Sequence, residues 1–464
     1  MSISLDFSNC LSEAISATHG LIPQEVSTLV DKFPKHHENI EELRANGESC
    51  FFVLPYQDLG ELKALIKKHH GNWDNLVVMG IGGSVVAPRS LFTALRHSQH
   101  NQLDPKVRKG APKVFFLANP DPMTMTELFS VIDIKKTLFQ VISKSGTTVE
   151  SLGSFMWLAE LLKKKNGKGA LSAQVVITTD RDKSPLAEIA KQEKIDLLPI
   201  PSNLGGRFGV LGNAGLFAVG LCGTSIEAVL AGAAAMDKRC RHGNPHSNPA
   251  YMHSLVHYLL TRKRRKTIHV MFSFSDRLYA IAEWYSQMCG VSLGKMLNRK
   301  GKAVHVGPSP AAALGSFDLH GQQQLFAEGP FDKVVTFLAV KDHGAQITVP
   351  ALYPKIEAAH YLAGAEFGTM LDHACVGAEQ HITASGRPNM TLHVEKIDEG
   401  SIGGLYYMLE LSTVMSAELY GIDPFDQPGI EHGKQASFAQ FGRAGFEDLA
   451  KKLKDYRAKP RKTC

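Results

Sequence analysis

Between residues 75 and 200 the chain alternates short apolar runs with helix-like stretches. That alternation narrows the possible folds more than any other feature. The runs cover 76–79, 114–117, 138–142, 175–177 and 197–198, and helices are predicted from Ser84, Pro122, Thr147 and Ser184. Strands that are apolar throughout are buried on both faces, and helical crossovers between them build a parallel sheet. Ligands of such sheets lie outside the carboxyl ends of the strands. The pattern resumes at 268–272, followed by a long helix from Asp276 with a bend expected near Gly290, then 304–306, 334–338 and 391–394. The fold class predicted is α/β, with two parallel sheets and helical segments at both ends. The expected units are a helical segment over 1–70, sheets over 71–235 and 236–432, and a last helix with a basic tail over 433–464.

A chain of 464 residues is long enough for two or three domains. It has no run of about twenty apolar residues, so no membrane span is predicted. Residues 1–7 have no basic or apolar character of the signal-peptide kind, so none is expected. The net charge of +6 suits a phosphorylated metabolite but is too dilute to argue for nucleic acid. The seven cysteines are scattered without a CxxC, which reads as a reducing, cytoplasmic setting without structural zinc. The pairs His36-His37 and His69-His70 lack ligand spacing and read as solvated, so no metal is expected. The basic cluster over 262–266 reads as a solvated helix end rather than a polyanion site.

Chemistry concentrates at Ser143-Lys144-Ser145-Gly146-Thr147-Thr148-Val149-Glu150, where a strand passes into a helix. Helix N-termini carry unpaired N–H groups and partial positive charge, which suits a phosphate. An ordinary N-cap needs one hydroxyl. A cluster of hydroxyls with a Lys and a Gly therefore predicts an anion site. The first strand ends in Gly80-Ile81-Gly82-Gly83-Ser84, which resembles a dinucleotide fingerprint but has Val85 at the third glycine. Gly82-Gly83 instead is read as bringing backbone close to a sugar or phosphate, with Ser84 hydrogen-bonding it. Arg207 follows two glycines at another strand-to-helix junction. It either reaches an oxyanion or pins its loop through carbonyls. His320 and Lys434 are candidates at presumed helix starts, one as acid or base, the other facing an anion.

In this order and spacing the segments GIGGS at 80–84, SKSGTT at 143–148, SNLGGRFGVLGNAG at 202–215, SLGK at 292–295, DLHGQQQLFAEGP at 318–330 and FDQPGIEHGKQ at 425–435 resemble the phosphoglucose isomerase family of bacterial type. The resemblance implies two flavodoxin-like sugar-isomerase (SIS) domains. It also implies interconversion of glucose 6-phosphate and fructose 6-phosphate with neither cofactor nor metal. It places Ser143, Lys144, Ser145 and Thr148 on the phosphate, with Gly83 and Ser84 beside the sugar phosphate. By the same likeness Arg207 stabilises the enediolate and Gln427 lies near the substrate. His320 and Lys434 open the ring, and Glu150 orients the histidine. In the family that histidine comes from the neighbouring subunit, which implies a homodimer.

One departure bears on the mechanism. The family's glutamate base, just before the SLGK segment, corresponds to Val291, and valine accepts no proton. Loss of a positioned base costs on the order of 10²–10⁴ in rate. The alternative to an isomerase is therefore a sugar-phosphate-binding paralogue with little or no activity. Glu150, Asp318 or a water are the substitutes that the sequence offers. Gly209, where many members have Ser or Thr, is expected to loosen the Arg207 loop.

Overall fold

The computed structural model describes residues 3–462, so Cys464 and the last residues of the basic tail lie outside the described residues. The N-terminal segment is mostly helical, but it opens with a strand, β1 (Ile3–Asp6). The next five strands are β2 (Asn75–Met79), β3 (Lys113–Leu117), β4 (Thr137–Ile142), β5 (Val175–Thr179) and β6 (Asp196–Pro199). They form one sheet in the order β3-β2-β4-β5-β6, with every pairing parallel. The chain reverses direction across this sheet between β2 and β4, and that is where a doubly wound sheet opens a crevice.

The second sheet uses β7 (Ile268–Ser273), β10, β11 and β12. A separate antiparallel ribbon is made by β8 (Lys295–Leu297) and β9 (Ala303–Val306). Here the expectation is corrected, because 304–306 lies in the ribbon and not in the sheet. The sheet strand is β10 (Ser309–Leu314), followed by β11 (Lys333–Asp342) and β12 (Asn389–Lys396). The order is β1-β12-β11-β7-β10, parallel throughout except that β1 runs antiparallel along β12. Without β1 it repeats the winding of the first sheet. The N-terminus thus supplies the strand that closes its edge.

Six helices matter for the site and the core: α1 (Gly83–Leu95), α2 (Val149–Asn166), α3 (Pro249–Arg264), α4 (Asp276–Leu293), α5 (Glu399–Tyr420) and α6 (Pro428–Gln440). α4 runs as one helix through Gly290. α5 is buried on every side from Ser401 to Leu419, as expected of a helix apolar all round. It packs on α3, α4 and the helix Ile226–Cys240, which ties the two sheets into one apolar core. Three histidines cluster beside that core. Burial pulls His253, His257 and His269 below the ordinary range, His257 to about 4.

His70, Arg262, Lys263 and Arg265 are exposed at helix ends, as expected, but other members of the histidine pairs and the basic cluster are not. His69 is buried against Asp196 at 2.8 Å, and His36 meets Glu418 at 3.1 Å. Arg264 grips Glu25, and buried Lys266 donates to the Phe331 carbonyl at 2.7 Å. These basic groups secure the N-terminal segment and the loop before β11. No helix among the described residues is long and apolar enough to cross a membrane.

Candidate active site

A cavity of about 500 Å³ lies at the carboxyl ends of β2 and β4. Gly82, Gly83 and Ser84 line it after β2, and Ser143, Lys144, Ser145, Thr147 and Thr148 after β4. Arg207 enters from a short 3-10 turn, Val291 from α4, and Gln427 and Lys434 from the start and middle of α6. Ten of the expected positions therefore meet in one place. Ser151, Gln287, Phe425, Ile430, Glu431 and Phe438 also line it.

Three helices begin at this cavity, α1, α2 and α6, and none has a side-chain cap bond. Thr148 sits at the N-cap of α2 without capping it, so the 143–148 turn is more than a helix stop signal. Unsatisfied N–H groups and three positive dipole ends favour an anion. The turn is tightly held. Ser143 Oγ accepts from Gly146 N at 3.2 Å, and Ser145 Oγ lies 3.4 Å from Thr148 Oγ1. Gly146 has φ +64°, and a Cβ there would lie 2.0 Å from Ser184 Oγ, so only glycine fits. Gly83 lines the cavity and is also a packing point. A Cβ on it would come within 2.8 Å of the Gly206–Arg207 backbone, so its small size lets two loops touch.

Arg207 is 5% exposed, and the carbonyl-pinning role held open for it is present, although the carbonyls belong to the 424–426 turn. It lines the cavity, and it clamps the neighbouring turn. Nε donates to Ser292 Oγ at 2.8 Å and Nη1 to Gln427 Oε1 at 3.2 Å, while Nη2 donates to the carbonyls of Pro424 and Asp426 at 2.5 and 3.2 Å. The loosening expected from Gly209 is absent, because these bonds fix the guanidinium. Burial lowers the Arg207 guanidinium to about 10 against the pull of Asp426 and Asp423. Lys144 donates to the Ser202 carbonyl at 2.9 Å. Burial lowers it, and the charges of Arg207, Lys434 and Lys183 push it further in the same direction, against Asp180. Three cations crowd one cavity, an arrangement that an anion relieves.

Lys434 is not at a helix start. α6 begins at Pro428, and Lys434 lies in its second turn, with Nζ 2.6 Å from Glu431 Oε1. Gln427 Nε2 donates to the same oxygen at 3.1 Å. Burial pushes the Glu431 carboxyl up, but the bonds from Lys434 and Gln427, with the charges of Lys434 and Lys144, hold it below the usual range. Glu150 and His320 stand apart. Glu150 lines a small crevice with Gly80, Asn119 and Ser154 that adjoins the cavity at Ser151. His320 is exposed at the end of a 3-10 turn, and Asp318 in that turn accepts from Leu314 N at 2.7 Å. Among the described residues no group of three or more His, Cys, Asp or Glu is placed to hold a metal ion.

Fold and site together define a doubly wound α/β protein with a polar, cation-lined cavity at the crevice of its first sheet. The chain belongs to the phosphoglucose isomerase family, whose model matches residues 60–329. A glucose-6-phosphate isomerase of Carboxydothermus hydrogenoformans is 35% identical over 464 residues, covering 99% of both chains. One of Rubrobacter xylanophilus is 36% identical over 373 residues, covering 80% of this chain and 83% of its own. Among solved structures, a hypothetical protein of Thermus thermophilus superposes with a TM-score of 0.83 at 26% identity, covering 95% of this chain and 100% of its own. A glucose-6-phosphate isomerase of Chlamydia trachomatis superposes with a TM-score of 0.80 at 19% identity, covering 98% and 92%, and shares the fold.

Proposed function

We propose that this chain is an aldose–ketose isomerase that interconverts glucose 6-phosphate and fructose 6-phosphate, a step of glycolysis and gluconeogenesis. Family membership supports the reaction. The observation that carries the substrate class is the convergence of three uncapped helix starts with Lys144, Arg207 and Lys434 on one cavity. The substrate phosphate is held by Ser143, Lys144, Ser145 and Thr148, with Gly83 and Ser84 against its sugar end. Arg207 stabilises oxyanion charge that appears only during reaction, and it is held in place before substrate arrives. Gln427 links Arg207 to α6 and steadies the substrate beside it.

Lys434 opens the ring with His320 of a second copy of the chain, oriented by Glu150. Two features support this sharing. His320 points to solvent here, and Glu150 sits in a crevice bordering the cavity. Large apolar side chains are exposed beside His320, at Phe317, and along 347–367, at Ile347, Leu352, Tyr353, Ile356, Tyr361 and Phe367. A homodimer buries such surface. The reaction needs no organic cofactor, and a cytoplasmic location accompanies it.

The test is turnover of fructose 6-phosphate by the purified chain, coupled to oxidation of the glucose 6-phosphate formed. Turnover is expected, with a Ser143→Ala/Lys144→Ala variant needing much more substrate. Tight binding without turnover would replace this reading with that of a sugar-phosphate-binding paralogue, the outcome that Val291 favours.

A further inference from the structure

Isomerisation through an enediol needs a base on the cavity wall, and Val291 is aliphatic. The ionisable side chains lining the cavity among the described residues are Lys144, Arg207, Glu431 and Lys434. Three are cations, and Glu431 alone is a carboxylate. Neither Glu150 nor Asp318 lines the cavity. We propose that Glu431 is the catalytic base that carries the proton between C2 and C1 of the open-chain sugar. This rests on the isomerase reading and identifies the group that performs its central step.

The geometry connects Glu431 to position 291 through a chain of hydrogen bonds. Ser292, next to Val291, accepts from Arg207 Nε at 2.8 Å, and Arg207 Nη1 donates to Gln427 Oε1 at 3.2 Å. Gln427 Nε2 donates to Glu431 Oε1 at 3.1 Å, and Lys434 Nζ donates to the same atom at 2.6 Å. Oε1 is thus anchored twice, while Oε2 takes no bond from the described residues and is the oxygen available to a proton. The Glu431 side chain is 50% exposed, so a substrate reaches it, and its place in the first turn of α6 fixes its direction.

The step balances without any further reagent. Glu431 removes the proton at C2. The C–H electron pair becomes the C1=C2 bond, and the charge moves to O1 beside Arg207. The O2 proton then passes to O1 through Lys434 or a water, O2 becomes the carbonyl oxygen, and Glu431 returns its proton to C1. Substrate also makes Glu431 a better base. A phosphate on Lys144 cancels one of the charges that holds the carboxyl down, and a filled cavity excludes water.

The experiment compares the parent, Glu431→Gln, Val291→Glu and the double variant in kcat, KM and exchange of the C2 proton with solvent. Glu431→Gln is expected to lower kcat by about 10²–10⁴ and to abolish exchange, with little change in KM. Val291→Glu in that background restores a carboxylate to the cavity and is expected to recover most of the loss. Glu431→Asp, which keeps the carboxylate, falls between. Thermal unfolding checks that each variant is folded. Undiminished turnover in folded Glu431→Gln overturns this proposal alone. A folded double variant as silent as Glu431→Gln also overturns it, because Glu431 then only positions Lys434. A parent that binds fructose 6-phosphate without turning it over overturns both this assignment and the isomerase reading.

Discussion

Arg207 shows how one side chain serves stability and chemistry together. Its planar fork of donors fits two carbonyls, an amide and a hydroxyl at once, and it keeps a positive face on the cavity. Lysine retains the charge but cannot make this set of bonds. Arg207→Lys is therefore expected to lower kcat by roughly 10²–10³, the loss typical of a missing oxyanion donor, and to lower Tm by loosening the 424–427 turn. Unchanged kcat with a lowered Tm would leave Arg207 a structural clamp. The cavity-lining turn at 143–148 was legible from sequence because its hydroxyls, lysine and glycine are consecutive. Gln287 and Ser151 were not, because they are ordinary helix residues. What brings them to the cavity is the packing of α4 on α1 and the start of α2 directly after the turn that follows β4. Glu431 lay within a recognised segment, but its importance appears only once it is seen as the sole carboxylate on the wall among the described residues.

The central helix α5 carries a buried cost. Glu410 is fully buried, neither oxygen has a hydrogen-bond partner among the described residues, and burial raises its carboxyl well above the ordinary 4.5. Folding keeps it protonated, whereas the unfolded chain ionises above about pH 4.5. Stability from this group is intact below that pH and falls as pH rises, by about 1.4 kcal/mol per unit until the folded group ionises. Glu410→Gln removes the dependence. Its Tm advantage over the parent is expected to widen between pH 5 and 8, and a constant gap in thermal unfolding would contradict this. The strands of the first sheet were readable because each is a continuous apolar run. β10 was missed because Ser-Pro-Ala-Ala-Ala-Leu has little strand preference of its own. Pairing along β7 makes it a strand. The run at 304–306 has the right residues but joins only a two-stranded ribbon. The start of α6 was placed at Lys434 rather than at Pro428, because Pro-Gly normally breaks structure. Here Pro428 occupies the first helical turn, where its missing N–H costs nothing.

The proposed sharing of the active site is a property of a dimer, and one chain's sequence carries it only through the family resemblance. If His320 serves its neighbour's cavity while Arg207 serves its own, His320→Ala and Arg207→Ala should each be nearly inactive alone. Co-expressed, they should regain activity, because a mixed dimer has one site with both lesions and one with neither. Failure of mixed dimers to recover would place both residues in the same subunit's site. Two winding patterns of the same kind pack on α5, the first of them forms the floor of the cavity, and α6 brings Glu431 and Lys434 to its wall. The claim that this floor and wall perform an enediol isomerisation is tested most directly with glucose 6-phosphate deuterated at C2, followed by NMR. The account predicts that fructose 6-phosphate forms, more slowly than from the undeuterated sugar, with C2 deuterium lost to solvent or moved to C1. Substrate that binds yet keeps its C2 deuterium and stays glucose 6-phosphate would contradict it.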